Sequence, residues 1–156
     1  DTMNFWMDNA HEELMKVIRR VDIIIINDEE AIQLSGKDTL FAAAKEILSF
    51  GPKQIVIKKG EHGAMLFEDG KFFTIPAFPV EKVKDPTGAG DTFAGGFAGY
   101  LSQIDKIDFE GMKLAVVNGT VMASFCVEGF GTSVMENLDK EIANNRLKEF
   151  KKYTKY

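Results

Sequence analysis

Val21-Asp22-Ile23-Ile24-Ile25-Ile26-Asn27 sets four isoleucines in a row with no polar residue between them. A strand with one wet face alternates apolar and polar side chains. An unbroken β-branched run instead fits a strand buried on both faces, as in a parallel sheet covered by helices. Upstream, a helix is predicted over 9–20: Asp8 or Asn9 can cap it, Glu12 and Glu13 fall in its first turn, and Leu14, Val17 and Ile18 share one face. Downstream, a short helix runs from Asp28 or Glu29 to Ser35, closed by Gly36. A second follows over 38–50, stopped by Gly51-Pro52.

The segment QIVIKKG (54–60) reads as another buried strand, and GAMLFEDGKFFTI (63–75) as a hairpin turning at Asp69-Gly70. Pro76 and Pro79 break regular structure, and residues 80–87 form a strand or an extended approach to a glycine-rich stretch. Helices are predicted over 91–101, 109–127 and 137–152, with a loop at Glu128-Gly129-Phe130-Gly131-Thr132. Helices alternating with strands, then a run of helices, give an α/β fold with a mostly parallel central sheet. Such sheets average about five or six strands. This chain supplies about three for the central layer, so the sheet reads as incomplete. The chain also opens with Asp1 rather than Met. Both features suggest a cut or processed product whose missing strands lie upstream.

Composition narrows the function. The 156 residues are 45% hydrophobic and 28% charged, which is ordinary globular material. Nineteen basic against twenty-four acidic side chains leave a net charge of −5. That balance argues against nucleic-acid or membrane-surface partners, which are bound by clustered Lys and Arg. The one basic cluster, Lys148, Lys151, Lys152 and Lys155, reads as a solvated helix face. No apolar run approaches the ~20 residues of a membrane span, and the N-terminus lacks the basic-then-apolar pattern of a signal peptide. A lone Cys126 among apolar neighbours reads as a buried thiol in a reducing, cytoplasmic setting. His11 and His62 read as surface residues, and Trp6 and the methionines as packing against missing or neighbouring core.

The chemistry concentrates in KDPTGAGDTFAGGFAGYL, residues 84–101. Gly88-Ala89-Gly90 ahead of a helical pattern leaves backbone N–H groups free at a helix N-terminus, which suits phosphate or another anion. Asp91 sits in the first turn beside them. Gly95, Gly96 and Gly99 each cost ~1 kcal/mol against Ala inside a helix, so close packing on the sheet or on a ligand is expected there. No G-x-x-x-x-G-K-[ST] loop is present, and Phe93 occupies the place where a G-x-G-x-x-G pattern needs its third glycine. Read without further context, the stretch is an anion site or a tight turn that Asp91 merely caps.

The sequence DPTGAGDTFAGG resembles the signature of the ribokinase-like, or PfkB, family of carbohydrate kinases. The resemblance runs from Asp1 through Asn27-Asp28-Glu29-Glu30 and Lys58-Lys59-Gly60 to the Gly129–Gly131 loop, in the order of the C-terminal half of such kinases. It implies a three-layer α/β/α fold, here incomplete, whose N-terminal half with lid and substrate site is absent. It implies ATP-dependent phosphorylation of a hydroxymethyl group on a sugar, nucleoside or related small molecule. Gly88, Ala89 and Gly90 would hold the transferring phosphoryl, and Asp91 would accept the proton of the attacking hydroxyl. Phosphoryl transfer asks for positioning and charge neutralisation more than strong proton abstraction, so a carboxylate at a helix N-terminus suffices.

Further sites follow from the same resemblance, each beside a plainer alternative. Asn27 and Glu30 have N-x-x-E spacing at the carboxyl end of the isoleucine strand, where ligands of open α/β sheets bind. The family would use the pair to organise Mg²⁺ and its waters, an oxygen-rich arrangement that suits the ion; alternatively Asn27 or Asp28 only caps the helix. Lys58 stands where relatives often carry a small hydroxyl residue, and either reaches ATP phosphates or is a solvated strand end. Gly60 and Gly63 mark close backbone approach to nucleotide. Asn118 either borders the nucleotide base or is an ordinary polar helix residue. Asp85 and Thr87, with the Gly129–Gly131 loop, resemble a monovalent-cation site such as K⁺ uses; alternatively Asp85 only fixes the turn by hydrogen bonds. The isolated chain is expected to be inactive, and a homodimer would form through the missing lid. The competing reading is a nucleotide-binding fragment or regulatory module without catalysis.

Overall fold

The computed structural model describes residues 2–155. It comprises two compact units: residues up to Gly60 together with Ala64–Thr74, and Glu61–Gly63 together with Ile75 onward.

The first unit holds helices α1 (Asn4–Asn9), α2 (His11–Ile18), α3 (Asp28–Ser35) and α4 (Leu40–Ser49). Its strands are β1 (Ile23–Asn27), β2 (Gln54–Lys58), β3 (Ala64–Glu68) and β4 (Lys71–Ile75), in spatial order β1-β2-β3-β4. β1 and β2 run parallel, from Ile23↔Gln54 to Asn27↔Lys58, whereas β2 and β3 are antiparallel. The sheet is therefore mixed, with parallel pairing confined to β1 and β2 among the described residues. The turn into β4 uses Gly70 at φ 69, a left-handed value that costs glycine nothing.

Burial on both faces belongs to β2, whose Ile55, Val56 and Ile57 are fully buried. Among the described residues β1 is one of the two edge strands. Its Ile24 and Ile26 enter the core while Ile23 and Ile25 keep partial exposure. Ile18, Ala31, Ala43, Ala44 and Ile47 bring α2, α3 and α4 onto the same core.

The helix expected over 9–20 is α2, at His11–Ile18, and a separate helix that the sequence did not signal, α1, precedes it at Asn4–Asn9. Ala10, at φ −145 and ψ 44, breaks the run and caps α2 without any side-chain hydrogen bond. Asp8 and Asn9 are otherwise engaged: Asp8 accepts from Gln33 at 2.8 Å, and Asn9 donates to the Phe5 carbonyl at 2.9 Å. Trp6 meets Phe5 edge-on and stays about half exposed.

The second unit contains α5 (Ala89–Leu101), α6 (Phe109–Cys126) and α7 (Lys140–Tyr153). Asp108 caps α6 by accepting from the Gly111 N–H at 3.0 Å, and Asp139 caps α7 from Ile142 at 2.8 Å. The helix predicted from 137 thus starts at Lys140, after a 3₁₀ turn at Met135–Asn137. Residues 80–87 form no strand; their backbone is held instead by Lys84 N–H to Val127 carbonyl at 2.8 Å, with Asp85 N–H on the same oxygen at 3.4 Å.

The expected close packing of the α5 glycines is onto a helix rather than the sheet. A Cβ on Gly96 would lie 2.7 Å from Met122, and one on Gly119 would lie 2.8 Å from the Phe93 carbonyl and 3.1 Å from its ring. Each helix omits a side chain where the other places bulk, so the axes approach closely. Gly95 and Gly99 have nothing within 4 Å. No helix among the described residues is long and apolar enough to cross a membrane.

Candidate active site

The candidate residues fall into two groups, one per unit. In the first, Asn27 closes β1 and begins α3. Its Oδ1 accepts from the Glu30 N–H at 2.7 Å, and Glu30 Oε2 accepts from the Asn27 N–H at 2.9 Å. This is a full capping box. Glu30 is a charged residue only 6% exposed, and the box gives its carboxylate a partner that makes such burial tolerable. The plainer reading of N-x-x-E is therefore present in the geometry. It leaves room for the other: Glu30 Oε1 takes no part in the box, and a lone carboxylate oxygen is the donor that a mostly hydrated Mg²⁺ uses. Lys58 is the register partner of Asn27, so the strand ends bring these two residues side by side.

In the second unit, α5 begins without a side-chain cap. Gly88 is its N-cap at φ 81, a conformation a side chain would strain. The first intrahelical bond is Thr92 N–H to Gly88 carbonyl at 2.9 Å. Ala89 N–H already has an acceptor, the Pro86 carbonyl at 3.1 Å. The amides of Gly88, Gly90 and Asp91 have none among the described residues. Open donors and the positive end of the helix dipole coincide there. Asp91 is exposed in the same first turn. A helix that opens on bare amides, with a carboxylate beside them, is shaped to receive an anion and a proton donor together.

Behind the turn, Asp85 Oδ1 accepts from the Thr87 N–H at 2.9 Å. Bonds from Thr87, its side chain first and its backbone second, hold the Asp85 carboxyl below its ordinary value. The hydrogen-bonded role of Asp85 is thus visible. The Thr87 carbonyl faces the Cys126 Sγ, which donates to it at 3.5 Å. Oxygens of Asp85 and Thr87 are the hard donors a monovalent cation takes.

Three further candidates stand apart. Gly60, at φ 54, has nothing within 4 Å of a notional Cβ. Gly63, at φ 90, is crowded by its own chain: a Cβ would lie 2.0 Å from the Ile75 carbonyl oxygen. Asn118 Nδ2 donates back along α6 to the Leu114 carbonyl at 2.7 Å. Among the described residues no three His, Cys, Asp or Glu side chains gather as a metal site.

Sequence reading missed the residues that hold the turn from behind. Cys126 was legible only as a buried thiol. Val127 contributes a carbonyl, which no side-chain pattern advertises. Arg146 stacks on Phe125 at 3.6 Å and pairs with Glu128 at 2.8 Å from a separate helix, a contact without sequence periodicity.

A mixed sheet flanked by helices in one unit, and three helices in the other, define an α/β protein. The pattern described as pfkB family carbohydrate kinase matches residues 3–138, and the chain belongs to that family. It is 42% identical over 90 residues to the cytidine kinase of Thermococcus kodakarensis, covering 56% of this chain and 32% of that protein. Among solved structures, the aminoimidazole riboside kinase of Salmonella enterica, complexed with aminoimidazole riboside and an ATP analog, superposes with a TM-score of 0.79. The identity is 27%, over 90% of this chain and 47% of that one. Ribokinase from Thermotoga maritima gives a TM-score of 0.74 at 29% identity, over 86% of this chain and 44% of that one. The fold is ribokinase-like, and the chain spans about a third to a half of the length of these relatives.

Proposed function

We propose that the chain carries the nucleotide-binding and phosphoryl-transfer machinery of an ATP-dependent kinase whose acceptor is a hydroxymethyl group on a sugar or nucleoside. The observation that carries this reading is the start of α5: a left-handed glycine cap, open amides at Gly88, Gly90 and Asp91, and the Asp91 carboxylate one turn in.

In the proposed reaction the acceptor oxygen bonds to the γ-phosphorus, the bond from that phosphorus to the β,γ-bridging oxygen breaks, and ADP leaves. Asp91 accepts the hydroxyl proton. The open amides bind the oxygens of the transferring group, where charge must be held while the bond is loose. Glu30, fixed by Asn27, would hold Mg²⁺ through waters, and Mg²⁺ when bound neutralises phosphate charge. Asp85 and Thr87 would hold a monovalent cation. Gly60, Gly63 and Lys58 would lie along the nucleotide, with Asn118 at its base. Kinship to a cytidine kinase at 42% identity favours a nucleoside acceptor as a second reading.

Calorimetric titration of the chain with Mg-ATP should show binding, and a panel of sugars and nucleosides should reveal which acceptor drives ADP release by the protein as its gene encodes it. A folded chain that ignores Mg-ATP, together with an encoded protein that releases no ADP with any of the panel, would count against the proposal. The 156 residues alone, which span about a third to a half of these relatives, should release no ADP.

A further inference from the structure

The 84–88 segment that feeds the open amides is held locally by the Thr87 N–H to Asp85 and Ala89 N–H to Pro86 bonds. Its backbone is tied to two consecutive residues at the end of α6. Val127 offers its carbonyl to the Lys84 N–H at 2.8 Å and the Asp85 N–H at 3.4 Å. Cys126 donates its thiol to the Thr87 carbonyl at 3.5 Å. Where Cys126 and Val127 sit, the segment sits.

Arg146 of α7 grips the residues on either side of that pair. Its Nη1 donates to Ser124 Oγ at 3.1 Å, its Cζ lies 3.6 Å from the centre of the Phe125 ring, and its Nη2 pairs with Glu128 Oε2 at 2.8 Å. On the upstream side the same guanidinium lies 5.0 Å from the Phe78 ring, at the beginning of the connector that leads to Lys84. Its side chain is 17% exposed. The planar, multi-donor fork of arginine can stack and bond in several directions at once, whereas a lysine ammonium cannot stack in this way.

We propose that Arg146 is a positioning residue for the Gly88–Asp91 turn, acting through the α6 end that it clamps at 124, 125 and 128. This rests on the reading of that turn as the phosphoryl-binding site. Arg146 touches no reacting group; it sets where Cys126 and Val127 present their bonds, and they set the height and tilt of the open amides. A residue with only a packing role would hold α7 to α6 and leave the turn indifferent.

The test is backbone amide NMR of the chain, with Mg-ATP titration alongside, on Arg146→Met, Arg146→Lys and Glu128→Gln. Arg146→Met keeps the apolar stem and loses the fork. It should displace the Gly88, Gly90 and Asp91 amide signals and weaken Mg-ATP binding about threefold or more, within the range seen for residues coupled to a site they do not touch. Arg146→Lys should restore part of the shift by keeping the charge, and Glu128→Gln should move the same three signals by less. Signals that move at 78 and 124–128 while Gly88, Gly90 and Asp91 stay in place would overturn the proposal. If Arg146→Met does not fold, Glu128→Gln decides by the same criterion. A wild-type chain that fails to bind Mg-ATP would count against the kinase reading, while the ligand-free amide signals would still decide the role of Arg146.

Discussion

Asn27 and Glu30 cap each other, each side chain accepting from the other's backbone N–H at 2.7 and 2.9 Å. The pair joins the end of β1 to the start of α3, so one set of bonds both ends the strand and starts the helix. Because a glutamine can fill the third position of a capping box as well as a glutamate, the structural and ionic roles of Glu30 are separable. Glu30→Gln should leave the melting temperature near wild type while raising the Mg²⁺ concentration needed for ATP binding. Asn27→Ala should cost about 0.5–2 kcal/mol of stability through the lost cap. Thermal melts and Mg²⁺-dependent nucleotide titrations on the two variants check both. A Glu30→Gln chain with unaltered Mg²⁺ dependence would leave the residue a cap alone.

Asp91→Asn removes the proposed proton acceptor and keeps the shape. In the protein as its gene encodes it, turnover should fall by ~10²–10⁴, the usual contribution of a general base. Nucleotide affinity should hold or rise, since a negative charge beside the γ-phosphate is gone. Asp91 is exposed and makes no cap bond to α5, so the fold should survive. Steady-state kinetics with a melting curve on this variant decide the matter, and retention of most of the turnover would remove Asp91 from the mechanism.

Gly60 and Gly63 both need left-handed backbone, at φ 54 and 90, but only Gly63 meets a wall. Gly63→Ala would drive a Cβ to 2.0 Å from the Ile75 carbonyl oxygen and should destabilise by well over about 1 kcal/mol. Gly60→Ala should cost about 1–2 kcal/mol for conformation alone. Denaturant unfolding checks the order. A Gly60→Ala chain that stays folded and binds Mg-ATP normally would show that nucleotide does not approach Gly60.

Asp108 supplies a pH dependence. The Gly111 N–H first, and Lys106 next, hold its carboxyl below the ordinary value of 3.8. A carboxylate with a lowered native pKa stabilises the fold above the unfolded value and loses that contribution as pH falls through the native one. Stability should therefore decline below about pH 4. In Asp108→Asn, which can still cap but cannot titrate, that decline should be shallower. Melting temperatures between pH 3 and 7 on both proteins, in roughly one-unit steps, would show it. An unchanged acid limb would assign the decline to other groups.

Much of this was legible beforehand because the decisive signals are local. The α3 box lies within four residues, the β2 run within three, and the Gly88 turn within a single peptide stretch. What stayed hidden depends on distant neighbours. Four isoleucines cannot say that β1 is an edge strand among the described residues, because that depends on which strands lie beside it. The break at Ala10 has no glycine or proline to announce it. The Ala89 amide looks as open as its neighbours until the Pro86 carbonyl is seen to reach it. The clamp on residues 124–128 joins α6 to α7 across more than a helical turn of sequence in every case, with no periodicity to betray it.

The paired notches between α5 and α6 set an axial register. Phe93 seats against Gly119, and Met122 seats against Gly96, so the two contacts point in opposite senses along the pair. Sliding α5 by one turn would lift Phe93 out of its recess and drive a full side chain into a backbone. Rotation about the axis meets the same obstacle from the Met122 side. The helix is thus indexed, like a key with two cuts. Asp91 lies two residues before Phe93, so this steric fit indexes its helix along α6, while the bonds from Cys126 and Val127 set the turn that leads into it.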